Sequence, residues 1–296
     1  MPEFTYIDGS FARRLMPRRP ENSNKGSFGR LLAVIGSAEY RGAAHLALEA
    51  ALRGGVGYVT LLGESELVAS LLPRFPECIY LEKPKNELLV KSDIEKIIEC
   101  TEGESAVLVG VGSGKSRALA ELCIALLRLR GAPLILDADA INSLALLGEG
   151  GRAAIREACR EVILTPHPME LSRLIGRTVA DIQSSRVETA LAVAADLGVT
   201  LVLKGSGTVV TNGREAYVNT SGSSALAKAG SGDTLAGLLS ALVAAGMPTL
   251  SAASLAVYVH GAAADDLAAE YSTLGVTPSD LPKQMARVIA TLQKGE

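Results

Sequence analysis

The segment Ala229-Gly230-Ser231-Gly232-Asp233-Thr234 is glycine-rich and runs directly into an apolar stretch of helical composition. Glycines at the start of a helix let successive backbone N–H groups converge where the helix dipole also favours negative charge. Gly230, Ser231 and Gly232 therefore describe a cradle for a phosphate or an oxyanion. Asp233 follows at the first turn, where a carboxylate is either a helix cap or a base beside the cradle. As a base it would take the proton from a hydroxyl attacking a phosphoryl group. The dipole favours its charged form, so Asp233 is expected to be ionised at neutral pH.

A second anion-competent loop, Lys204-Gly205-Ser206-Gly207-Thr208, lies 29 residues before Asp233 at the end of a predicted strand. A lysine and hydroxyls around a glycine turn suit the phosphates of a nucleotide, although a hairpin entry with a solvated lysine has the same composition. Thr165-Pro166-His167-Pro168-Met169-Glu170 again follows a predicted strand. The flanking prolines hold His167 out of helical geometry and fix its ring at a strand's carboxyl end, where open α/β sheets bind ligands. Glu170 either holds a metal-bound water or merely starts the next helix. Leu136-Asp137-Ala138-Asp139-Ala140-Ile141-Asn142 sets two carboxylates and an amide at the same edge, for metal contact, substrate contact or helix capping.

Gly110-Val111-Gly112-Ser113-Gly114-Lys115-Ser116 imitates a P-loop. The Walker pattern needs a glycine five positions before Gly114, and that position is Val109. The loop is one residue too short to wrap a β-phosphate with its amides. Gly112 and Gly114 remain places where backbone approaches a ligand closely.

Such loops must be positioned by strands ending side by side. Strands are predicted over Leu31–Ile35, Tyr58–Leu62, Cys78–Leu81, Ala106–Gly110, Leu134–Asp137, Val162–Thr165, Thr200–Lys204, Thr208–Thr211 and Ala216–Asn219. Helices are predicted over Ala43–Arg53, Ser92–Cys100, Lys115–Arg130, Arg152–Arg160, Met169–Ile175, Ser185–Leu197, Asp233–Ala245 and Ser251–Glu270. The alternation, with strands apolar throughout, argues a mostly parallel central sheet covered by helices on both faces, an α/β sandwich. Thr208–Asn219 breaks the rhythm as a hairpin turned at Asn212-Gly213. Residues 25–296 read as one domain, preceded by an N-terminal arm over residues 1–24, which carries Arg13, Arg14, Arg18 and Arg19 and is either an arm on the domain or a solvated tail.

The chain has 296 residues, of which 48% are hydrophobic and 21% charged, with a net charge of −3. That balance excludes disorder as the main theme and gives no basic surface for nucleic acid. Cys78, Cys100, Cys123 and Cys159 lie 22, 23 and 36 residues apart, so no CxxC pair exists for zinc or redox chemistry. Reduced thiols and the lack of an apolar h-region at the N-terminus point to a cytoplasmic protein. Thr234 to Ala264 lacks Asp, Glu, Lys and Arg, but the break at Gly246-Met247-Pro248 makes it two buried helices, not a membrane span.

Lys25-Gly26-Ser27-Phe28-Gly29-Arg30, Ile35-Gly36-Ser37, Gly42-Ala43-Ala44 and Ala51-Leu52-Arg53-Gly54-Gly55-Val56-Gly57 resemble the opening of the ADP/ATP-dependent NAD(P)H-hydrate dehydratases. The motifs at Asp137, Thr165, Lys204 and Ala229 are similar to that family's later motifs, in the same order. The resemblance implies a ribokinase-like three-layer α/β sandwich and repair of damaged nicotinamide cofactors. The hydroxyl at C6 of hydrated NADH or NADPH would be phosphorylated from ADP or ATP, with Mg2+, and phosphate then expelled. By position, Ala43, Gly112, His167 and Asp233 would contact the hydrated cofactor, and Lys204, Gly205, Ser206, Gly207, Thr208 and Gly232 the nucleotide. Asp233 would accept the hydroxyl proton, while Gly230, Ser231 and Gly232 stabilise the transferred phosphoryl group. Glu170 and Asp137 are the candidate metal residues.

The resemblance also implies a homotetramer and a functional link to a hydrate epimerase, which at 296 residues this chain has no room to include. Val111 and Ser113 stand where the family usually has Pro and Leu, and Ser223-Ser224 where it has Asn-Pro, departures that loosen loops beside the proposed chemistry. The alternative is a ribokinase-like kinase for a small alcohol such as a thiazole or pyrimidine precursor, which would need the same cradle and aspartate.

Overall fold

A computed structural model describes residues 3–85 and 89–295. Ten strands form one sheet: β1 (Thr5–Ile7), β2 (Arg30–Val34), β3 (Tyr58–Gly63), β4 (Ile79–Glu82), β5 (Ala106–Val109), β6 (Leu134–Leu136), β7 (Val162–Leu164), β8 (Thr200–Leu203), β9 (Val209–Thr211) and β10 (Ala216–Asn219). The helices are α1 (Gly9–Leu15), α2 (Arg41–Arg53), α3 (Ser65–Leu71), α4 (Lys91–Glu99), α5 (Arg117–Leu127), α6 (Asp139–Ala145), α7 (Glu149–Arg156), α8 (Pro168–Ile175), α9 (Val179–Ser184), α10 (Arg186–Leu197), α11 (Ser231–Ala244), α12 (Thr249–Gly275, interrupted at Ser272) and α13 (Leu281–Lys294).

The strand order is β1-β10-β9-β8-β7-β6-β5-β2-β3-β4, and only the pairings of β9 with β8 and with β10 are antiparallel. The expected α/β sandwich is what the chain adopts. Successive residues of β2 explain its continuous apolarity: Leu31 and Ala33 enter a core with α2, α11, α12 and α13, while Leu32 and Val34 enter a second core with α5 to α10. Parallel neighbours β5, β6, β7 and β8 end at the same edge, so the loops after them stand in a row. After β2 the chain winds outward through β3 to β4. It then crosses back to β5 and proceeds to the other edge, which makes the β2/β5 boundary the topological switch point.

All nine expected strands are present, as is the hairpin at Asn212-Gly213. The apolar run breaks as expected into α11 and α12, and among the described residues no helix is long and apolar enough to cross a membrane. Sequence patterning missed β1, α1, α3, α6, α9 and α13. Most are too short to develop a period. α9 hides before α10 because Ser185 interrupts one polar run, and α13 is a partly polar helix with Pro282 in its first turn. The first residues belong to the sheet: β1 pairs in parallel with β10, and Ile7 and Ala12 are fully buried.

Candidate active site

The strand ends converge on one oxygen. Asp137, just past β6 and 1% exposed, accepts through Oδ1 from Lys204 Nζ at 2.7 Å and from Thr165 Oγ1 at 2.6 Å. Lys204 follows β8 and Thr165 follows β7, so three neighbouring strands are tied together at the sheet's carboxyl edge. Burial works against the Lys204 ammonium, but Asp137, Glu170 and Asp233 outweigh it and hold its pKa above the usual lysine range. The lysine is thus an internal counter-ion as well as a lining residue of the adjoining cavity.

The prolines around His167 do what their restricted geometry dictates. The peptide before Pro168 is extended, and His167 becomes the N-cap of α8 with Nδ1 accepting from Met169 N at 3.1 Å and Glu170 N at 3.3 Å. That bonding leaves the ring proton on Nε2, 3.2 Å from Glu170 Oε1. Burial, with the positive charge of Lys204, lowers the His167 pKa, so the ring is neutral. Glu170 completes the capping box by accepting from His167 N at 2.8 Å and lies 3.9 Å from Lys204 Nζ. Its own pKa rises to about 7, chiefly through burial and with Asp137 adding, against the pull of Lys204.

α11 enters from the opposite layer and brings Gly230, Ser231, Gly232 and Asp233 to these loops. Gly230 is the N-cap at φ 103°. A Cβ on Gly232 would stand 3.4 Å from Lys204 Nζ, so the lack of a side chain keeps the approach between lysine and helix end open. Ser231 is 5% exposed and its Oγ has no hydrogen-bond partner among the described residues. Asp233 lies in the third helical position, in the first turn, and among the described residues no side-chain cap bond forms at this terminus. The expected full ionisation of Asp233 at neutral pH becomes partial. Burial, reinforced by Asp137 and Asp139, overrides the dipole and Lys204 and raises its pKa to about 7.

A cavity of about 460 Å³ opens beside this helix end, lined by Lys204 to Thr208, Ser231 and Gly232. Its lining also contains residues the sequence reading missed: Asn219, Ser221, Leu226, Val257 and His260. His260 is buried with Nε2 3.1 Å from Thr234 Oγ1, and burial lowers its pKa to about 4, so it is a neutral prop behind the cradle. The apolar run containing it gave no hint of a site. Ser223 and Ser224 line the cavity, with Ser223 capping the turn Ser224–Leu226.

The loop after β5 is not a P-loop. Gly114 N donates to Asp139 Oδ2 at 2.9 Å and Ser116 N to Ser143 Oγ at 3.1 Å, so amides that would bind phosphate already have internal partners. Gly112 packs against Ala43 and Tyr40 at the switch point, bringing two expected substrate contacts together. Val111 is fully buried, its carbonyl accepting from Gly36 N at 2.7 Å, and Ser113 is buried as well. Ala138, between Asp137 and Asp139, has φ 47° and ψ −109°, a strained backbone held by Asp139 N donating to Gly110 O at 3.2 Å. Asn142 lies outside the cluster, its Oδ1 accepting from Arg173.

Residues 31–287 match the family model described as NAD(P)H-hydrate dehydratase. The chain belongs to that family. An ADP-dependent (S)-NAD(P)H-hydrate dehydratase of Neisseria meningitidis is 40% identical over 83% of this chain and 80% of its own length. A bifunctional NAD(P)H-hydrate repair enzyme of Thermofilum pendens is 36% identical over 95% of this chain. The chain spans 53% of that bifunctional relative, about half its length. Among solved structures, the ADP/ATP-dependent NAD(P)H-hydrate dehydratase of Bacillus subtilis, co-crystallised with ATP and Mg2+, superimposes with a TM-score of 0.84 at 28% identity. That match covers 98% of this chain and 99% of the other. The family's ribokinase-like fold is the fold of this chain.

Proposed function

We propose that the protein is a nucleotide-dependent hydro-lyase that dehydrates the hydrated forms of NADH and NADPH. The observation that carries this reading is the convergence, in a chain of this family, of the Gly230–Gly232 cradle and Asp233 on the carboxyl edge of the sheet. ADP or ATP would occupy the cavity with its phosphates on Lys204, Gly205, Ser206, Gly207, Thr208 and Gly232, and its nucleoside toward Asn219 and Val257. The hydrated nicotinamide would enter from the side of Ala43, Gly112 and His167. Asp233 takes the proton of the C6 hydroxyl as the hydroxyl oxygen attacks the terminal phosphorus of ADP or ATP; the phosphoanhydride bond breaks and AMP or ADP leaves, while the amides of Gly230 to Gly232 hold the charge of the transferred group. Breaking the C6–O bond then expels phosphate as a proton leaves C5, which restores the reduced ring.

Mg2+ would neutralise phosphate charge, and Asp137 and Glu170 offer the hard carboxylate oxygens it prefers beside the phosphate loops. Among the described residues no group of three or more His, Cys, Asp and Glu forms a metal cage. The same reading makes residues 25–296 the catalytic domain with 1–24 as its arm, makes the enzyme a homotetramer, and puts it in the cytoplasm beside a hydrate epimerase. Four free cysteines suit a reducing compartment. The small-alcohol kinase draws on the same cradle and is favoured by none of these findings.

The test supplies hydrated NADH with ADP or ATP and Mg2+ and follows absorbance at the reduced-nicotinamide band. Recovery of that band with release of inorganic phosphate supports the reading. A stable phosphate ester, or no nucleotide consumption, overturns it.

A further inference from the structure

The motif Lys25-Gly26-Ser27-Phe28-Gly29-Arg30 takes no part in the site above. Lys25–Phe28 form a 3-10 turn, and a Cβ on Gly29 would stand 1.7 Å from the carbonyl oxygen of Ala244, at the far end of α11. The 14 residues of α11 place that end about 20 Å from the Gly230–Gly232 cradle. There Ser27 and Phe28 line a second cavity of about 350 Å³ together with Arg18, Arg19 and Arg53, backed by Leu242 and Ile289.

Among the described residues, three arginines and no Asp or Glu line this cavity, in a chain whose net charge is −3. Arg19 is fixed in place: its guanidinium lies 3.6 Å over the Phe28 ring and donates to Gly55 O at 3.1 Å. Among the described residues, the Arg18 and Arg53 guanidiniums carry no hydrogen bond or ion pair. Guanidinium forks match phosphate oxygens in pairs, while Phe28, Leu242 and Ile289 offer a dry wall to whatever carries the phosphates. The volume lies within the range of small-molecule sites, of order 300–1,000 Å³.

We propose that this cavity is a second binding site, separate from the active site, for a small pyrophosphate-bearing metabolite with a flat or apolar body. Its phosphates lie between Arg18 and Arg53, and its body rests on the Phe28 side of the cavity.

The test uses the wild-type protein and a readout local to the cavity. Phenylglyoxal modifies exposed arginines, and mass spectrometry of the digested protein gives the rate at each one. Inorganic pyrophosphate is the probe, sulfate at matched ionic strength the control, and the exposed Arg128 and Arg130, just past the end of α5, the internal reference. Saturating pyrophosphate should slow modification of Arg18 and Arg53 by about tenfold or more, because paired phosphate oxygens cover the reactive nitrogens, and leave Arg128 and Arg130 unchanged. In an Arg53→Ala variant the protection of Arg18 should be largely lost. Equal slowing at all four arginines, equal protection by sulfate, or no protection at Arg18 and Arg53 would overturn the proposal.

Discussion

Lys204 Nζ lies 2.7 Å from Asp137 Oδ1, and this ion pair spans 67 residues of sequence to join the ends of β8 and β6 across β7. Thr165, from the strand between them, donates to the same oxygen. The lysine charge therefore serves several neighbours at once: it pairs with Asp137 and restrains the upward pKa shifts of Glu170 and Asp233.

Replacing Lys204 with Met leaves Asp137 as a buried carboxylate with no cation. Removing one partner of a buried pair costs about 3–5 kcal/mol, and the 18% exposure of the lysine side chain brings the expected loss to the lower end or below. The same substitution removes the group that lowers the pKa of Asp233, so the acid limb of the pH–rate profile should move up from about 7. Measured kcat/KM against pH decides: a limb that stays in place while activity falls would reduce Lys204 to a phosphate contact.

Asp233→Asn separates catalysis from stability. Loss of a positioned base should lower turnover by about 10²–10⁴-fold. An acid whose folded pKa, about 7, exceeds its unfolded value near 3.8 keeps in the folded state a proton that the unfolded chain gives up. Stability therefore falls as pH rises between those values, and the full cost is present above the folded pKa. The asparagine has no such cost. It should be more stable than wild type at pH 8, by on the order of 1 kcal/mol or more, and lose that advantage by pH 4. Urea unfolding at the two pH values checks the sign, and a variant less stable at pH 8 would make Asp233 structural.

The loops of the site were legible because their chemistry is local. Gly230 to Asp233, Lys204 to Thr208 and Thr165 to Glu170 each announce a strand-to-loop or loop-to-helix transition through glycine and proline, and the fold lines up their strands. Long-range partners were not legible. No spacing reveals that Lys204 pairs with Asp137, or that Asp137 and Asp139 raise the pKa of Asp233 against its helix dipole. His260 and Asn219 were hidden because they sit in runs whose composition fits a buried helix and an ordinary strand, and only packing turns them to the cavity.

Two glycines should respond differently to alanine. At Gly110, with φ 109°, a Cβ would lie 2.2 Å from the carbonyl oxygen of Asp137, so both backbone conformation and rigid neighbouring backbone refuse it. Gly110→Ala should be destabilised by several kcal/mol, on the order expected when a clash adds to strain. At Gly232 the nearest atom is the movable end of Lys204, 3.4 Å away, so the fold should tolerate the methyl group. The methyl group would instead narrow the gap proposed for phosphate. Melting temperature with and without ADP tells them apart: Gly232→Ala should melt near wild type but lose most of the nucleotide-induced rise. A normal rise in Gly232→Ala would remove Gly232 from the nucleotide site.

Ser231→Ala tests whether an unpaired buried hydroxyl is kept for a ligand. Among the described residues Ser231 Oγ has no partner, so burying it costs free energy that alanine would avoid. The variant should be as stable as wild type or more so, by up to about 1 kcal/mol. With nucleotide bound, the hydroxyl can donate to a phosphate oxygen at the mouth of the cradle, a charge-assisted bond worth about 1.5–3 kcal/mol. Losing it should weaken ADP binding by roughly tenfold or more. The two effects have opposite signs, and a structural serine cannot produce that pattern, since its removal would lower stability and leave affinity nearly unchanged. Calorimetric titration with ADP alongside thermal unfolding of the free protein measures both quantities. Unchanged affinity in a stable Ser231→Ala would show that the hydroxyl faces no phosphate and would leave the cradle to its backbone amides.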